Sequence, residues 1–420
     1  MARPWALVSF GLWALASLLG LRMLVAAVRD AGRPAHGFVS HYAASRLMLE
    51  GAPVARFYDD DWFSVEVARF EPTVYDLHGA NLPTMGLTLL PLALLPYHAA
   101  RLVWTVASFG AVVALVLWVG KTAGVTGVAW PALYTLIFLF QPLRENLLHG
   151  QMYVLVLALW VLAWQGFRTN RPGLLGASLG ALLITKTAGL MLWPLLLAQR
   201  RWNALVWGAG VAIGVAAVSY PRIGTQAWMA YFHSAAALPS QPMLSLTAYQ
   251  SLTSLARHLF LYHPAANPVP LADWAPLAHV VAPVLVFGSL AVSLVVAARR
   301  RTSDLVFAAF VLLSLMCSPV SLDYHYTSAL LPIALLLAAV QGSRWSTSGQ
   351  LLVLGSLLIA ADLPYRSPKI TSGLLAVFAY PKLYGAVLLW ALALWLPLAS
   401  SRPRLGAAMP AVGPSGRLTS

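Results

Sequence analysis

Apolar runs close to 20 residues long recur along nearly the whole chain, separated by short polar turns. That pattern predicts membrane-crossing helices. They fall near 5–28, 101–120, 126–141, 152–167, 173–185, 187–198, 203–219, 277–298, 303–319, 326–341, 350–363 and 379–399, about twelve in all. The first run is too long for a signal peptide's apolar region and is interrupted by Arg22, so it reads as a retained span. The segment Leu82 to Pro96 is apolar but short and carries Pro83, Pro91 and Pro96, which predicts a re-entrant or surface helix.

Two long polar stretches break the pattern. The first, Arg29 to Pro83, holds eight of the thirteen acids: Asp30, Glu50, Asp59, Asp60, Asp61, Glu66, Glu71 and Asp76. It also holds His36, His41 and His78. The second runs from Tyr220 to Pro276, where Trp228, Tyr231, Phe232 and Trp274 suit a membrane interface. The expected organisation is one transmembrane domain over 1–404, with outer loops 29–100 and 220–276. A disordered tail rich in Gly, Pro, Ala and Ser is expected over 405–420.

Composition agrees with an all-α polytopic membrane protein. The 420 residues are 60% hydrophobic and only 10% charged, with a mean hydropathy of +0.74. The net charge of +14 does not mark a nucleic-acid binder. Its Lys and Arg are scattered through short turns and form no basic stripe. A single cysteine, Cys317, excludes internal disulfides and paired-Cys metal sites. With the amino terminus inside, the inner turns carry Lys121, Arg168 and Arg171, Arg200 and Arg201, Arg299 to Arg301, Arg344, and Arg402 and Arg404. This follows the positive-inside rule. All ten histidines, and all acids except Asp304, then fall outside or at the outer edge.

Three groups of polar residues stand out as candidate chemistry. The short spans 173–185 and 187–198 both have basic inner flanks, so they form a hairpin with Lys186 at its outer tip. Paired short spans of this kind line buried sites in membrane proteins; the alternative is a lysine that snorkels to the headgroups. The stretch LRENLLHGQMYV (143–154) gathers Arg144, Glu145, Asn146, His149 and Gln151 between two spans. Polar groups at that depth are costly, which favours function over an ordinary wet turn. CSPVSLDYHYTSALLP (317–332) sets Asp323 two residues before His325, a pair that grips one ligand or simply orients itself. No nucleotide phosphate loop and no HExxH metal motif is present. Lys186, Arg144 and His325 are the groups suited to a substrate phosphate.

Taken together, these stretches resemble glycosyltransferase family 87, the polyprenyl-phosphate-mannose-dependent mannosyltransferases. The resemblance covers most of residues 36–335. It rests on GFVSHYAASRLMLEGAPVARFYD (37–59), NLPTMGLTLLPLALLP (81–96), HGQMYVLVLAL (149–159), the Lys186 segment followed by QRRW (199–202), YQSLTSLARHL (249–259) and SPVSLDYHYTSALLP (318–332).

The resemblance implies a C-type membrane glycosyltransferase fold in the cell membrane, multi-pass. It implies a polyprenyl-phosphate sugar donor, a lipid or glycan acceptor, and no cofactor or metal. The hexose, expected to be mannose, passes to an acceptor hydroxyl on the outer side by inverting displacement. A carboxylate acts as base and cationic groups hold the departing phosphate. Arg144, Asn146, Gln151, Lys186 and His325 are the expected substrate-binding residues.

The chain departs from the family in one place that matters. The family's first motif carries an Asp just before its Phe, the expected base, and here that position is Gly37. The expectation is that another acid of the first outer loop takes over: Asp59 or Asp30, with His36 as substitute. Asp59 to Asp61 also suit a helix start, since Asp is a common N-cap. Leu322 also stands where the family's later segment commonly has an aromatic. Two other readings compete: a lipid or small-molecule transporter or flippase, against which the absence of internal repeats counts, and an inactive relative, favoured by Gly37.

Overall fold

A computed structural model describes residues 3–79, 81–300, 303–341 and 346–399. Arg301, Arg344, Arg402 and Arg404 of the expected inner turns, and the tail over 405–420, lie outside the described residues. The described residues form helices and turns, with one isolated antiparallel bridge between His263 and Asn267. The first half comprises α1 (Arg3–Ala31), α2 (Phe38–Leu49), α3 (Asp60–Ala68), α4 (Tyr97–Ala123), α5 (Ala129–Leu139), α6 (Gln141–His149), α7 (Tyr153–Arg168) and α8 (Pro172–Lys186). The second comprises α9 (Leu192–Ala198), α10 (Trp202–Ala237), α11 (Leu252–Phe260), α12 (Ala275–Arg299), α13 (Asp304–Cys317), α14 (Leu330–Val340), α15 (Thr347–Ala360) and α16 (Pro381–Ala399).

Six segments are long and apolar enough to cross a membrane: Ala6–Ala31, Tyr97–Ala123, Trp202–Ser240, Ala275–Arg299, Asp323–Val340 and Pro381–Leu398. Five shorter apolar helices, α5, α7, α8, α13 and α15, pack among them. The stretch expected to span over 187–198 contains only the seven-residue α9. Leu82 to Pro96 holds two 3₁₀ turns, Pro83–Leu87 and Leu92–Leu94, and no helix of crossing length. The helix expected over 203–219 runs on to Ala237. It passes Pro221 and kinks at Gly224, whose φ of 75° is open to glycine.

The centre of the bundle is α13, whose residues are nearly all buried, packed against α7, α14 and α16. Packing there comes from close side-chain contact, since lipid itself is apolar. The α8–α10 contact is closest of all. A methyl group on Gly176 would lie 2.2 Å from the Ala204 carbonyl oxygen, and one on Gly180 would lie 2.4 Å from that of Gly208. Small residues therefore let these two backbones touch.

The two ends of the bundle differ. At one end Arg168 pairs with Asp304 at 2.7 Å, Arg201 reaches the Phe167 carbonyl at 3.4 Å, and Gln341 bonds the 124–126 turn. Those are the described turns expected inside, and they share one end. At the other end, fully buried Arg101 donates to the carbonyls of Arg33, Asp30 and Leu148. It ties the ends of α1 and α6 to the start of α4.

The second end carries a layer of short elements over the bundle. Arg222, beside the α10 kink, donates to the carbonyls of Met48 and Ala52 and so satisfies the end of α2. Lys382 donates to the carbonyls of Ile359 and Ala361 at the end of α15.

Candidate active site

Lys186 is the last residue of α8. Fifteen residues rise roughly 22 Å, less than a hydrocarbon core of roughly 30 Å. The helix is therefore short of crossing length, and its tip, Lys186, lies beside Tyr153 at the start of α7. The chain turns away through Thr187 and Gly189, both at positive φ. The loop after Asn81 closes over the gap, with the Thr84 hydroxyl donating to the Ile184 carbonyl at 2.7 Å.

Around Lys186 the structure gathers four other segments. Its ammonium donates to Asn81 Oδ1 at 2.9 Å and lies 3.4 Å from His41 Nε2 on α2. It stands 6.0 Å over the ring of Tyr153, the first residue of α7. The Tyr153 ring in turn lies 4.1 Å from that of His325, which stacks on Tyr324 at 4.9 Å. An ammonium has three donors; described residues take two. The third is free for a ligand oxygen.

The neighbouring imidazoles stay uncharged. Burial pushes the His41 pKa well below its ordinary value, helped by Lys186 and His78 and opposed by the nearby Gln151 side chain. His78 is pushed down to about 3 by burial and by Lys186. Its ring sits edge-on to Phe57, Tyr58 and Phe63. A neutral His41 Nε2 is the acceptor that Lys186 needs.

These shifts have a consequence for stability. The folded protein resists a proton on His78 that the unfolded chain accepts near pH 6.5. Stability is therefore full above about 6.5 and is lost as pH falls from there towards about 3. The thermal midpoint in detergent is expected to be level from pH 8 to 7 and to decline below about 6.5. His78→Phe is expected to flatten that decline in part, leaving the share due to His41. An unchanged acid limb in His78→Phe would show that this imidazole is not the cause.

The sequence-derived candidates divide into two sets. Lys186, His325 and Gln151 come together: His325 faces the same ring as Lys186, and Gln151 lies beside Gly37 and His41. Asn146 is adjacent: its Oδ1 accepts the Tyr153 backbone N–H at 3.0 Å, and its Nδ2 is buried without a partner among the described residues. Arg144 pairs with Asp362 at 2.6 Å. With Asp30, Arg22 and Arg29 it lines a groove of about 930 Å³ whose walls do not include Lys186.

Asp30 is also paired with Arg29 and Arg33. Asp59 is exposed and caps α3, accepting the Trp62 N–H at 3.2 Å. His36 is exposed in the turn before α2. Asp323 does not share a ligand with His325: it accepts from Gln141, Tyr365 and Arg366. Glu145, 3.2 Å from His149, has a lowered pKa: burial opposes this, and the His149 hydrogen bond with the nearby charges of His149, Arg144 and Arg366 together outweigh it.

One acid escaped the sequence reading. Asp76 is half-buried, and its Oδ2 accepts the Gly37 backbone N–H at 2.6 Å. Its Oδ1 accepts the Leu77 N–H at 3.0 Å. It lies within electrostatic reach of Lys186, Tyr97 and Tyr324. The only signal in the sequence was its place among eight acids of one loop.

The match to the family model for glycosyltransferase family 87 spans residues 82–319, more than half of the chain. The chain belongs to glycosyltransferase family 87. It is a membrane glycosyltransferase, and the matched region takes in Lys186, Tyr153 and Gln151. The first motif around Gly37, and His325, lie outside the matched residues. No curated protein and no solved structure matches the chain.

Proposed function

We propose that this family 87 member moves a hexose, mannose in the first instance, from a polyprenyl-phosphate donor to a hydroxyl of a lipid or glycan acceptor. The transfer takes place in the cell membrane, on the side where α8 ends. The observation that carries the reading is the Lys186 box: a half-buried ammonium at the tip of a short helix, walled by uncharged rings, with one donor unspent. A point charge of this kind suits a phosphate leaving group that a lipid tail holds at the membrane. Gln151 and His325 line the same space. Arg144 and Asn146 act at its margin, through α6.

The test is transfer in membranes from radiolabelled polyprenyl-phosphate mannose to extracted membrane lipids, with nucleotide-activated mannose as the competing donor. The reading expects label in a new lipid product from the polyprenyl donor alone. Transfer only from the nucleotide donor would refute it. Label that crosses the bilayer without any product would favour the flippase reading instead.

A further inference from the structure

The carboxylate missing from the first motif is restored from another part of the chain. Residue 37 has no side chain, yet a carboxylate oxygen stands 2.6 Å from its backbone nitrogen. Adding the N–Cα bond, that oxygen lies within about 4 Å of the Gly37 Cα, on its N–H side, while a Cβ there would point towards Gln151 and the His149 carbonyl. We propose that Asp76 is the catalytic base of this transferase, standing in for the acid the family carries at position 37. The proposal rests on the glycosyl-transfer reading above.

Three observations separate this from a purely structural role. Each Asp76 oxygen takes one backbone N–H, so each keeps a lone pair for an acceptor hydroxyl. Among the described residues, Asp76 forms no ion pair with Lys186 although its charge reaches it. Base and phosphate holder therefore act on each other electrostatically without being joined in an ion pair. The nearer candidates along the chain are already committed: Asp30 to two arginines, and Asp59 to a helix cap.

The chemistry balances without a further reactant. The acceptor O–H proton passes to Asp76. The acceptor oxygen bonds to the anomeric carbon of the sugar. The bond from that carbon to the phosphate oxygen breaks, and its electron pair leaves with the polyprenyl phosphate beside Lys186.

The experiment compares wild type with Asp76→Asn, purified from membranes, in steady-state transfer and in donor binding. The amide oxygen of Asn still accepts from Gly37 but is no base. The expected result is a fall in kcat of about 100-fold or more, with donor affinity within about twofold of wild type. If Asp76→Asn folds poorly, Asp76→Ser serves: its hydroxyl also accepts from Gly37 and it too is no base. Either variant, folded and turning over within about threefold of wild type, overturns the proposal, as does a loss confined to KM. If wild type proves to use a nucleotide-activated sugar, the donor reading fails alone, and the same comparison with that sugar still decides the role of Asp76.

Discussion

Lys186→Met is expected to remove productive donor binding while leaving the fold intact. Methionine matches the length of the lysine stem and keeps the apolar contacts along α8. What it loses is the ammonium that donates to Asn81 and His41 and faces the Tyr153 ring. Truncating one partner of a buried, hydrogen-bonded charge pair costs about 2–5 kcal/mol. That is a loss of roughly thirtyfold or more in donor affinity. The His41 ring then loses its donor, and the neutral imidazole tolerates that better than a charged one would. Lys186→Arg is not expected to restore function, because a planar fork does not fit a box built around a compact point charge. The measurement is donor binding to the purified protein, beside its thermal midpoint. A donor affinity within about twofold of wild type would make Lys186 a structural link between α8 and the Asn81 loop, and the phosphate would have to be held elsewhere.

The helices were legible because a membrane imposes one rule: apolar runs of crossing length, with basic residues at one set of ends. The Lys186 tip followed from that rule, since Arg171 and Arg200–Arg201 flank two runs too short to be separated by a long loop. The rule failed at α10, where it ends the span at residue 219 and starts a loop at Tyr220. The helix in fact continues one turn further and bends at Gly224, with Arg222 held by the end of α2. No local pattern carries that information, because the partner lies some 170 residues away.

The site shows the same division. Lys186, Gln151 and His325, which the structure brings together, stand out in the sequence because a polar side chain between apolar spans is conspicuous. Asn146 was conspicuous for the same reason, but it serves the backbone of Tyr153. Asp30 and Asp59 were chosen for their nearness in sequence to the motif around Gly37. Asp76 sits 39 residues from Gly37, and the contact uses a backbone N–H, which leaves no residue-type signal at position 37. What the sequence did show was the absence of a side chain there, and the structure gives that absence a physical reason.

That reason yields the second large effect. Gly37→Ala and Gly37→Asp are both expected to destabilise the protein and to reduce transfer, although the second restores the residue of the family motif. Gly37 has φ 93° and ψ −74°, a backbone conformation closed to residues with a Cβ. Holding such a residue there costs about 1–3 kcal/mol. Space is also lacking: the added Cβ would lie 2.3 Å from Gln151 Nε2 and 2.9 Å from the His149 carbonyl oxygen. The glutamine can shift, but doing so disturbs the wall around His41 beside Lys186. The carbonyl belongs to the backbone of the α6–α7 connection and cannot yield without moving Tyr153. Overpacking of this kind adds about 1–3 kcal/mol. Gly37→Asp carries a further burden, since it brings a second carboxylate against that of Asp76, and like charges at close range repel. The expected order of thermal midpoints is wild type, then Gly37→Ala, then Gly37→Asp, with transfer falling in the same order. A Gly37→Asp protein as stable as wild type and at least as active would mean that the acid belongs on residue 37, and that Asp76 does not occupy its place.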